Sequence, residues 1–321
     1  MNIYIYNMTN RETDTDKLFV FMTTLYEGIS NARLKELSKC FEMNFHNQYI
    51  KKIYIFFETN KTMQELSKYI KTDYSILNYL LVEDKFNIIL INKRPTYKMY
   101  FTYANNNIPN SKIIVSNTDI YMNNTLEKLV DYDMTGKFFS LTRWSENDDD
   151  KLYLPTYDKI CYPWHKLHSN DILPNLLCVN SGNSYFNRTV CDKRCHHITK
   201  PTKRYKRRNE ESQDTWIFST PFNQCEKFDC DFELGKVSCD SLLNYRIVMY
   251  ALAHSDLVIS NPCLTIQCVH VDKLGTSEER FASWKKNPII IDKSTCPEFS
   301  VYCKIPWVEL DDTVTYSAKN K

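Results

Sequence analysis

Short apolar runs alternate with amphipathic segments along the first half of the chain, and this alternation limits the folds available to it. Four apolar runs have the length of a β-strand: Lys51–Phe57, Phe86–Ile91, Lys112–Ser116 and Lys137–Trp144. The segments with helical character are Asn31–Asn47, Thr62–Ile70, Thr96–Asn107 and Asn123–Asp133. Apolar strands separated by helices of about ten residues form a mainly parallel sheet covered on both faces. The sequence therefore predicts an α/β fold that binds ligands beyond the carboxyl ends of its strands.

The regular alternation ends at Trp144. Residues 145–212 combine an acidic run, four prolines and the basic stretch Lys200–Arg208, so we predict an irregular insertion there. Regular structure then resumes with Gln213–Phe218, the helix Cys239–Ala253 and the strands Leu257–Ser260 and Thr265–Val271. We predict a single domain over residues 1–284 and an extension, residues 285–321, that packs on it.

The scarcity of glycine excludes loops that hold phosphate through the backbone. The chain has five glycines in 321 residues, and they never cluster in one short window. It therefore contains no G-x-G-x-x-G, no Walker loop and no glycine-rich nucleotidyltransferase loop. Any phosphate has to be held by side chains or by a metal. A formal charge of +2 gives no basis for general nucleic-acid binding, so we expect no nucleic-acid partner.

The sequence also predicts where the protein works. The first residues lack the charged start and apolar run of a secretory signal. No run reaches about 18 consecutive apolar residues, so we expect no membrane span. These two observations favour a cytoplasmic protein. Its twelve cysteines are then expected to be reduced, most of them as small buried apolar groups.

The segment Lys112–Asn124 carries the clearest chemical pattern. An apolar strand runs directly into Asn117, Thr118 and Asp119, which places a carboxylate at the carboxyl end of a strand. A divalent cation bound to a diphosphate takes one or two protein carboxylates and the oxygens of the phosphates. Asp119 suits that role, and Asn117 suits a sugar hydroxyl. The alternative is an ordinary turn, because both residue types favour turns and helix caps.

The order of five motifs resembles that of metal-dependent glycosyltransferases of the GT-A fold. They are NTDIY at 117–121, FFSLTRW at 138–144, SQDTWIF at 212–218, FELGKVSCD at 232–240 and NPCLTIQCVHVD at 261–272. More narrowly, the chain is similar to a group of such enzymes in giant viruses, algae and bacteria. For a viral member, host cytoplasm or virion is the expected location. The likeness includes NARLKEL at 31–37 and KRPTYKMYFTYAN at 93–105, and it spans about residues 31–280.

The resemblance implies the metal and nucleotide ligands. Asn117, Thr118 and Asp119 stand where GT-A enzymes have D-x-D, which implies that Asp119 binds the metal and that Asn117 and Thr118 contact the nucleotide. Asn in the first position leaves one carboxylate fewer than the family motif. His270 matches a late histidine that binds the same ion, and imidazole favours Mn²⁺ over Mg²⁺. A buried core histidine is the alternative. Lys273 is expected to face the diphosphate.

The resemblance also implies the catalytic and sugar-binding residues. Asp214 corresponds to an acidic residue beneath the acceptor, where it acts as the general base if the anomeric centre is inverted. If configuration is retained, it contacts donor or acceptor. The alternative for Asp214 is the N-cap of a helix beginning at Thr215. Asp240 has a possible sugar-hydroxyl contact beside its default role as a helix cap, and Arg143 and Trp144 are expected to line the sugar pocket.

Four further features have competing interpretations. The resemblance places Arg33 and Arg94 near the nucleotide, where a guanidinium suits phosphate or uracil; each alone is also typical of a solvated charge. A structural zinc is conceivable for the cysteine and histidine cluster, although its spacing fits no standard site. Its members are Cys191, Cys195, His196, His197, Cys225, Cys230 and Cys239. The basic stretch Lys200–Arg208 suits nucleic acid or an anionic acceptor. Because the rest of the chain has no excess of basic residues, a solvated loop over the acceptor side is favoured.

These observations together predict a glycosyltransferase that uses Mn²⁺ or Mg²⁺. Its donor is a nucleotide sugar, with UDP as the expected nucleotide, and its acceptor is a glycan or glycoprotein hydroxyl. The alternative from another class is a non-catalytic module that binds glycan or nucleic acid, which the Asn at position 117 makes conceivable. A nucleotidyltransferase is the third hypothesis, and the missing glycine-rich loop disfavours it.

Overall fold

The computed structural model describes residues 17–146, 152–153, 213–236 and 239–271, together with Leu310. Most of the predicted insertion 145–212 and most of the extension 285–321 lie outside these residues. The predictions for Lys273 and for the basic stretch Lys200–Arg208 also fall outside them. Leu310 packs against the apolar core, and its backbone N–H donates a 3.0 Å bond to the Thr265 hydroxyl.

Within the described residues the chain forms eleven strands and four α-helices. The strands are β1 (Phe19–Tyr26), β2 (Ile50–Glu58), β3 (Phe86–Ile91), β4 (Lys112–Ser116), β5 (Ile120–Met122), β6 (Lys137–Thr142), β7 (Trp144–Glu146), β8 (Leu152–Tyr153), β9 (Gln213–Ser219), β10 (Val258–Ser260) and β11 (Cys268–His270). The α-helices are α1 (Asn31–His46), α2 (Met63–Thr72), α3 (Tyr97–Asn107) and α4 (Cys239–Ala253). Short 3-10 helices cover Ser75–Leu81, Asn124–Leu129 and Asn223–Glu226.

Seven of the described strands form the central sheet, in the order β3-β2-β1-β4-β9-β6-β10. All of its pairings are parallel except those of β9, which runs antiparallel to β4 and β6. A second sheet has the order β5-β11-β7-β8. Because β9 is reversed, its first residues lie at the same edge as the carboxyl ends of β1 to β4. That edge is where the candidate site forms.

Helices cover both faces of the central sheet. Side chains of β1 alternate between two apolar layers, with Phe19 and Phe21 in the layer of α1 and α2, and Val20 and Met22 in the layer of α3 and α4. The predicted fold class, an α/β protein with a mainly parallel sheet flanked by helices, is confirmed. The part of the chain that the structure describes has no helix long and apolar enough to span a membrane.

Several element predictions need correction. The expected helix over 123–133 is a 3-10 helix that ends at Leu129, where the Lys112 ammonium binds the carbonyls of Leu129 and Val130. The run 137–144 is divided between β6 and β7, because the register with β9 shifts after Leu141 and the chain enters the second sheet. The last strand is confined to Cys268–His270. Gln213–Ser219 is a strand, which excludes Asp214 as a helix cap.

Asn44 fixes α1 against the second sheet. Its side-chain amide donates a 3.0 Å bond to the Ile120 carbonyl and its side-chain oxygen accepts a 2.9 Å bond from the Met122 N–H, and the residue is buried. Removing this clamp leaves two buried backbone groups without a partner, each at a cost of about 1–3 kcal/mol.

We therefore expect Asn44→Ala to lower the free energy of unfolding by about 2–4 kcal/mol in urea denaturation. The matched control is Asn107→Ala, because Asn107 is an exposed asparagine of α3 that bonds only to Tyr103 in its own helix among the described contacts. Its change should stay within about 0.5 kcal/mol. Equal effects of the two substitutions would show that Asn44 does not clamp α1.

Candidate active site

Asp119 lies in a tight turn between the two sheets. The Asn117 N–H donates to the Asp214 carbonyl at 3.1 Å, the Ile120 N–H donates to the Asn117 carbonyl at 3.2 Å, and the Val271 N–H donates to the Asp119 carbonyl at 3.0 Å. The backbone of the turn is therefore held by β9 and by the end of β11. This fixes the Asp119 side chain at the carboxyl end of β4, as the sequence predicted.

His270 and Arg33 both reach the carboxylate of Asp119. His270 pairs with Ile120 across β5 and β11, which brings its Nε2 to 3.1 Å from Asp119 Oδ2. Arg33 lies in the first turn of α1, and its Nη2 donates to the same Oδ2. Asp119 and His270 are both buried, at 3% and 4% exposure. Residues far apart in the sequence thus converge on one oxygen atom.

Glu36 completes this group, and the sequence analysis did not identify it. Its Oε2 accepts a 2.8 Å bond from Arg33 Nη1, and it is buried one turn along α1. Burial alone would lower the pKa of Arg33, but the charges of Asp119 and Glu36 and the bonds to them raise it. Arg33 is therefore a permanent cation here. This observation excludes the alternative of a solvated helix charge for Arg33.

A second ion pair lies beside the first. Arg143 Nη1 donates to Asp214 Oδ2 at 2.8 Å, and Asn117 Nδ2 donates to Asp214 Oδ1 at 3.0 Å. Burial is the largest influence and raises the pKa of Asp214, while Arg143 opposes it. The charges of Asp119 and His270 also act on Asp214, so the two ion pairs lie within electrostatic reach. Asn117 and Arg143, predicted to contact ligands, both hold Asp214.

Thr118 anchors the turn to β1. Its hydroxyl donates to the Thr24 carbonyl and accepts a 3.3 Å bond from the Thr23 hydroxyl. The same Thr23 hydroxyl lies 2.9 Å from the Ser116 carbonyl. The Thr118 hydroxyl is therefore bonded to β1, a strand that the sequence analysis did not predict. The nucleotide contact expected of Thr118 remains a prediction.

A cleft of about 540 Å³ opens at the carboxyl ends of β1, β2 and β3. Arg94 lines it, with Nε 3.4 Å from Glu58 Oε2 and its guanidinium 5.4 Å from the centre of the Tyr26 ring. Polar side chains contribute most of the remaining lining, and they include Glu27, Thr59, Asn60, Lys61 and Asn92. Because β1 is the neighbour of β4 and its end borders the cleft, the cleft lies on the β1 side of the turn that carries Asp119.

Trp144 and Asp240 have different surroundings from each other. The Trp144 indole N–H donates a 2.8 Å bond to the Cys263 carbonyl, and its ring packs in the second sheet against Tyr121 and Val269. Asp240 lies in the first turn of α4, and its charge raises the pKa of Asp214. The charge of Asp240 thus acts on Asp214, and the sugar contact expected of Asp240 remains a prediction. The indole N–H of Trp144 is used to hold the backbone.

Buried amides that the sequence analysis missed support the Asp214 pair. The Asn261 side-chain oxygen accepts a 3.0 Å bond from the Thr142 N–H, and its amide donates a 2.9 Å bond to the Thr142 hydroxyl. Asn244 bonds both Gln213 and Ser140. These contacts fix the residues next to Arg143 and Asp214. Asn261 begins the late motif, but nothing local in the sequence shows that its amide turns toward β6.

Asp119 and His270 could hold a divalent cation. A carboxylate oxygen and an imidazole nitrogen 3.1 Å apart have the spacing of neighbouring ligands on one ion, and both are donor types that bind divalent metal ions. Among residues 17–146, 152–153, 213–236 and 239–271, no group of three or more metal-binding side chains occurs. Such an ion would take its remaining ligands from water and substrate phosphates.

The structure does not favour zinc at the described cysteines. Cys225, Cys230 and Cys239 lie in the apolar layer of α3 and α4. Burial raises the pKa of Cys225 to about 11 and those of Cys230 and Cys239 to about 12, and within the described residues these thiols form no group of three or more metal-binding side chains. The six described cysteines are buried, as predicted, and form no disulfide with one another. The other members of the proposed zinc cluster, 191–197, lie outside the described residues.

The fold and the site define an α/β protein with a buried acid, histidine and arginine centre at the carboxyl edge of its sheet. No protein-family profile and no curated protein match the chain. Solved structures that are similar to it include a mannosyltransferase from Pyrobaculum calidifontis in complex with GDP-Man and Mn²⁺, at 11% identity and a TM-score of 0.40, over 89% of this chain and 68% of that one.

Two further solved structures are also similar. An inositol-1-phosphate CTP transferase from T. maritima has 9% identity and a TM-score of 0.36, over 85% of this chain and 98% of that one. A 4-diphosphocytidyl-2C-methyl-D-erythritol synthase from Anaerococcus prevotii has 12% identity and a TM-score of 0.26. That match covers 44% of this chain, which spans 65% of the synthase. These neighbours transfer sugars or nucleotides, and they identify no family.

Proposed function

We propose that the protein is a metal-dependent glycosyltransferase that uses a nucleotide-sugar donor. The observation that carries this proposal is the meeting of Asp119, His270 and Arg33 at the carboxyl end of β4. They come from three separate elements, and the Asp214 and Arg143 pair lies beside them. A metal-binding pair, a fixed cation and a carboxylate of raised pKa form the set of groups that sugar transfer needs.

The residues divide the work by their positions. Asp119 and His270 would hold the divalent cation, which supplies positive charge that stabilises the leaving diphosphate. Arg33, which contacts Asp119, offers a planar guanidinium that can bind two phosphate oxygens. The cleft around Arg94, on the β1 side of the turn that carries Asp119, would take the nucleoside. Lys273 is proposed to face the diphosphate, and Trp144 and Asp240 to border the sugar.

Asp214 is proposed to act on the acceptor. The acceptor oxygen bonds to the anomeric carbon while the bond from that carbon to the diphosphate breaks, and its electron pair leaves with the diphosphate. If the centre is inverted, the proton of the acceptor hydroxyl passes to the Asp214 carboxylate. If configuration is retained, Asp214 positions acceptor or donor sugar. Arg143 and Asn117 keep the carboxylate in place in either case.

Ligand-linked stabilisation tests the donor site. We expect UDP or GDP with Mn²⁺, at about a hundred times the dissociation constant, to stabilise the protein by about 2.7 kcal/mol. The measurement is thermal unfolding with Mn²⁺ alone, each nucleotide alone and both together. The two ligands together should exceed the sum of their separate effects, because the ion and the diphosphate share ligands. No shift with any nucleotide would support the non-catalytic module instead.

Product analysis then separates transfer of a sugar from transfer of a nucleotide. Without an acceptor, a glycosyltransferase slowly hydrolyses its donor. In a screen of UDP- and GDP-sugars, the protein should therefore release free sugar and nucleoside diphosphate from its preferred donor. A nucleotidyltransferase would instead couple a nucleoside triphosphate to a sugar 1-phosphate, and the triphosphate would lose pyrophosphate. Pyrophosphate release without sugar release would overturn the proposed glycosyltransferase.

A further inference from the structure

We infer that Arg33 is an internal counter-cation that has to leave Asp119 before a divalent cation binds there, and that the donor diphosphate draws it away. This inference rests on the proposed function. It assigns Arg33 a role beyond contact with the nucleotide. Arg33 makes metal binding depend on the diphosphate, so that the ion and the donor enter the site together.

The contacts at one oxygen atom place Arg33 in competition with the metal. Arg33 Nη2 and His270 Nε2 both lie at Asp119 Oδ2. A cation that takes Asp119 Oδ2 and His270 Nε2 as ligands would lie beside the oxygen to which Arg33 Nη2 donates. Arg33 and the ion therefore cannot both hold Oδ2 in this arrangement.

The charge of Arg33 also opposes binding of a divalent cation at Asp119. Arg33 stays charged, and its side chain is 13% exposed beside an Asp119 side chain that is 4% exposed. Charges of the same sign repel strongly where water is excluded. A divalent cation arriving without an anion would thus face a fixed positive charge. A diphosphate supplies the compensating negative charge and also gives the guanidinium new acceptors in bidentate geometry.

Glu36 allows Arg33 to move without becoming unpaired. It bonds the other terminal nitrogen, Nη1, at 2.8 Å, and it lies one helical turn from Arg33 on α1. The guanidinium can therefore release Asp119 through Nη2 while Nη1 remains bonded. Glu36 is a positioning residue in this scheme. Its contact keeps the freed cation at the site, within reach of the diphosphate.

Mn²⁺ binding measured without catalysis tests the inference. The full-length protein is titrated with MnCl₂, and free Mn²⁺ is followed by electron paramagnetic resonance, with no nucleotide, with UDP and with GDP. In the wild type we expect weak binding of Mn²⁺ alone and at least tenfold tighter binding with the preferred nucleotide. By linkage, Mn²⁺ tightens nucleotide binding by the same factor.

Arg33→Gln removes the competing charge. We expect it to bind Mn²⁺ alone at least tenfold more tightly than the wild type, and added nucleotide should raise its Mn²⁺ affinity by a smaller factor than in the wild type, because only coordination by the phosphates then couples the two ligands. Arg33→Lys keeps a charge but cannot bridge Asp119 and Glu36 as a fork, so its coupling should be intermediate, and it serves if the Gln variant fails to fold. The matched control is Lys39→Gln, which removes a cation of α1 that is paired with Glu146 at 2.7 Å. It should bind Mn²⁺ like the wild type.

The outcomes separate the two proposals. If the wild type binds Mn²⁺ with nucleotide and neither Arg33 variant changes the affinity for Mn²⁺ alone, the counter-cation role is wrong and the proposed function stands. Weaker Mn²⁺ binding by both variants would also overturn the role, because Arg33 would then support the metal. If no form binds Mn²⁺ under any condition, both the metal-dependent function and the inference fail.

Discussion

Asp119→Asn should reduce sugar transfer by about a hundred- to a thousandfold or more, with little change in fold. The substitution keeps the shape of the side chain and removes the charge that binds a divalent cation. A metal contributes several kcal/mol of stabilisation to charge that develops in a transition state, and each 1.36 kcal/mol is about tenfold in rate. The substitution should also abolish the extra thermal stabilisation by Mn²⁺ with nucleotide.

A surface carboxylate provides the matched control for this change. Asp131 is exposed and pairs with Lys17 at 3.0 Å, and an ion pair of that kind contributes little. Asp131→Asn should therefore keep both the activity and the response to Mn²⁺. The comparison needs circular dichroism of both variants to verify the fold. Wild-type transfer by Asp119→Asn, or by the wild type in excess EDTA, would rule out the metal role of Asp119.

The sequence predicts the helices and strands that have a clear local pattern of apolar residues. It also predicts that Asp119 and His270 lie together. Asp119 follows an apolar strand of the central sheet, so the edge rule for parallel sheets applies to it, whereas His270 is predicted only from the resemblance to GT-A glycosyltransferases. The strand β1 is not predicted, because the alternation of helical segments and apolar runs becomes regular only from Asn31 onward. Yet β1 pairs with both β2 and β4 near the centre of the sheet.

The residues that support the site could not be predicted from the sequence, for a different reason. Glu36, Asn44 and Asn261 are polar residues of ordinary helix or loop positions, and their burial depends on partners distant in the chain. Asn44 bonds a strand 76 positions away, and Asn261 bonds a segment 119 positions away. Periodicity and motif spacing describe near neighbours only. The bond of Arg33 to Asp119, across 86 positions, also required the folded chain.

Asp214→Asn should have opposite effects on activity and on stability. If Asp214 is the general base, its loss removes a contribution of about a hundred- to ten-thousandfold to the rate. The wild-type rate should fall at acidic pH, with a midpoint above the ordinary carboxyl value of 3.8 because burial raises the pKa of Asp214. The variant should lack that pH dependence. The measurement is kcat/KM against pH for both proteins.

Stability gives a second readout that depends on the same pKa. Because the pKa is raised in the folded state, the folded protein binds this proton more tightly than the unfolded chain does, and wild-type stability falls as pH rises from 3.8 to the raised value. Asn mimics the protonated carboxyl, so Asp214→Asn should have the higher melting temperature at pH 7, and the difference should shrink toward pH 4.

Asp133 provides a control of opposite sign, because bonds to Thr135 lower its pKa. Asp133→Asn should melt below the wild type at pH 7, by a difference that fades in acid. A lower melting temperature for Asp214→Asn at pH 7, with unchanged activity, would mean that the carboxylate of Asp214 is held for stability through Arg143 and not for transfer.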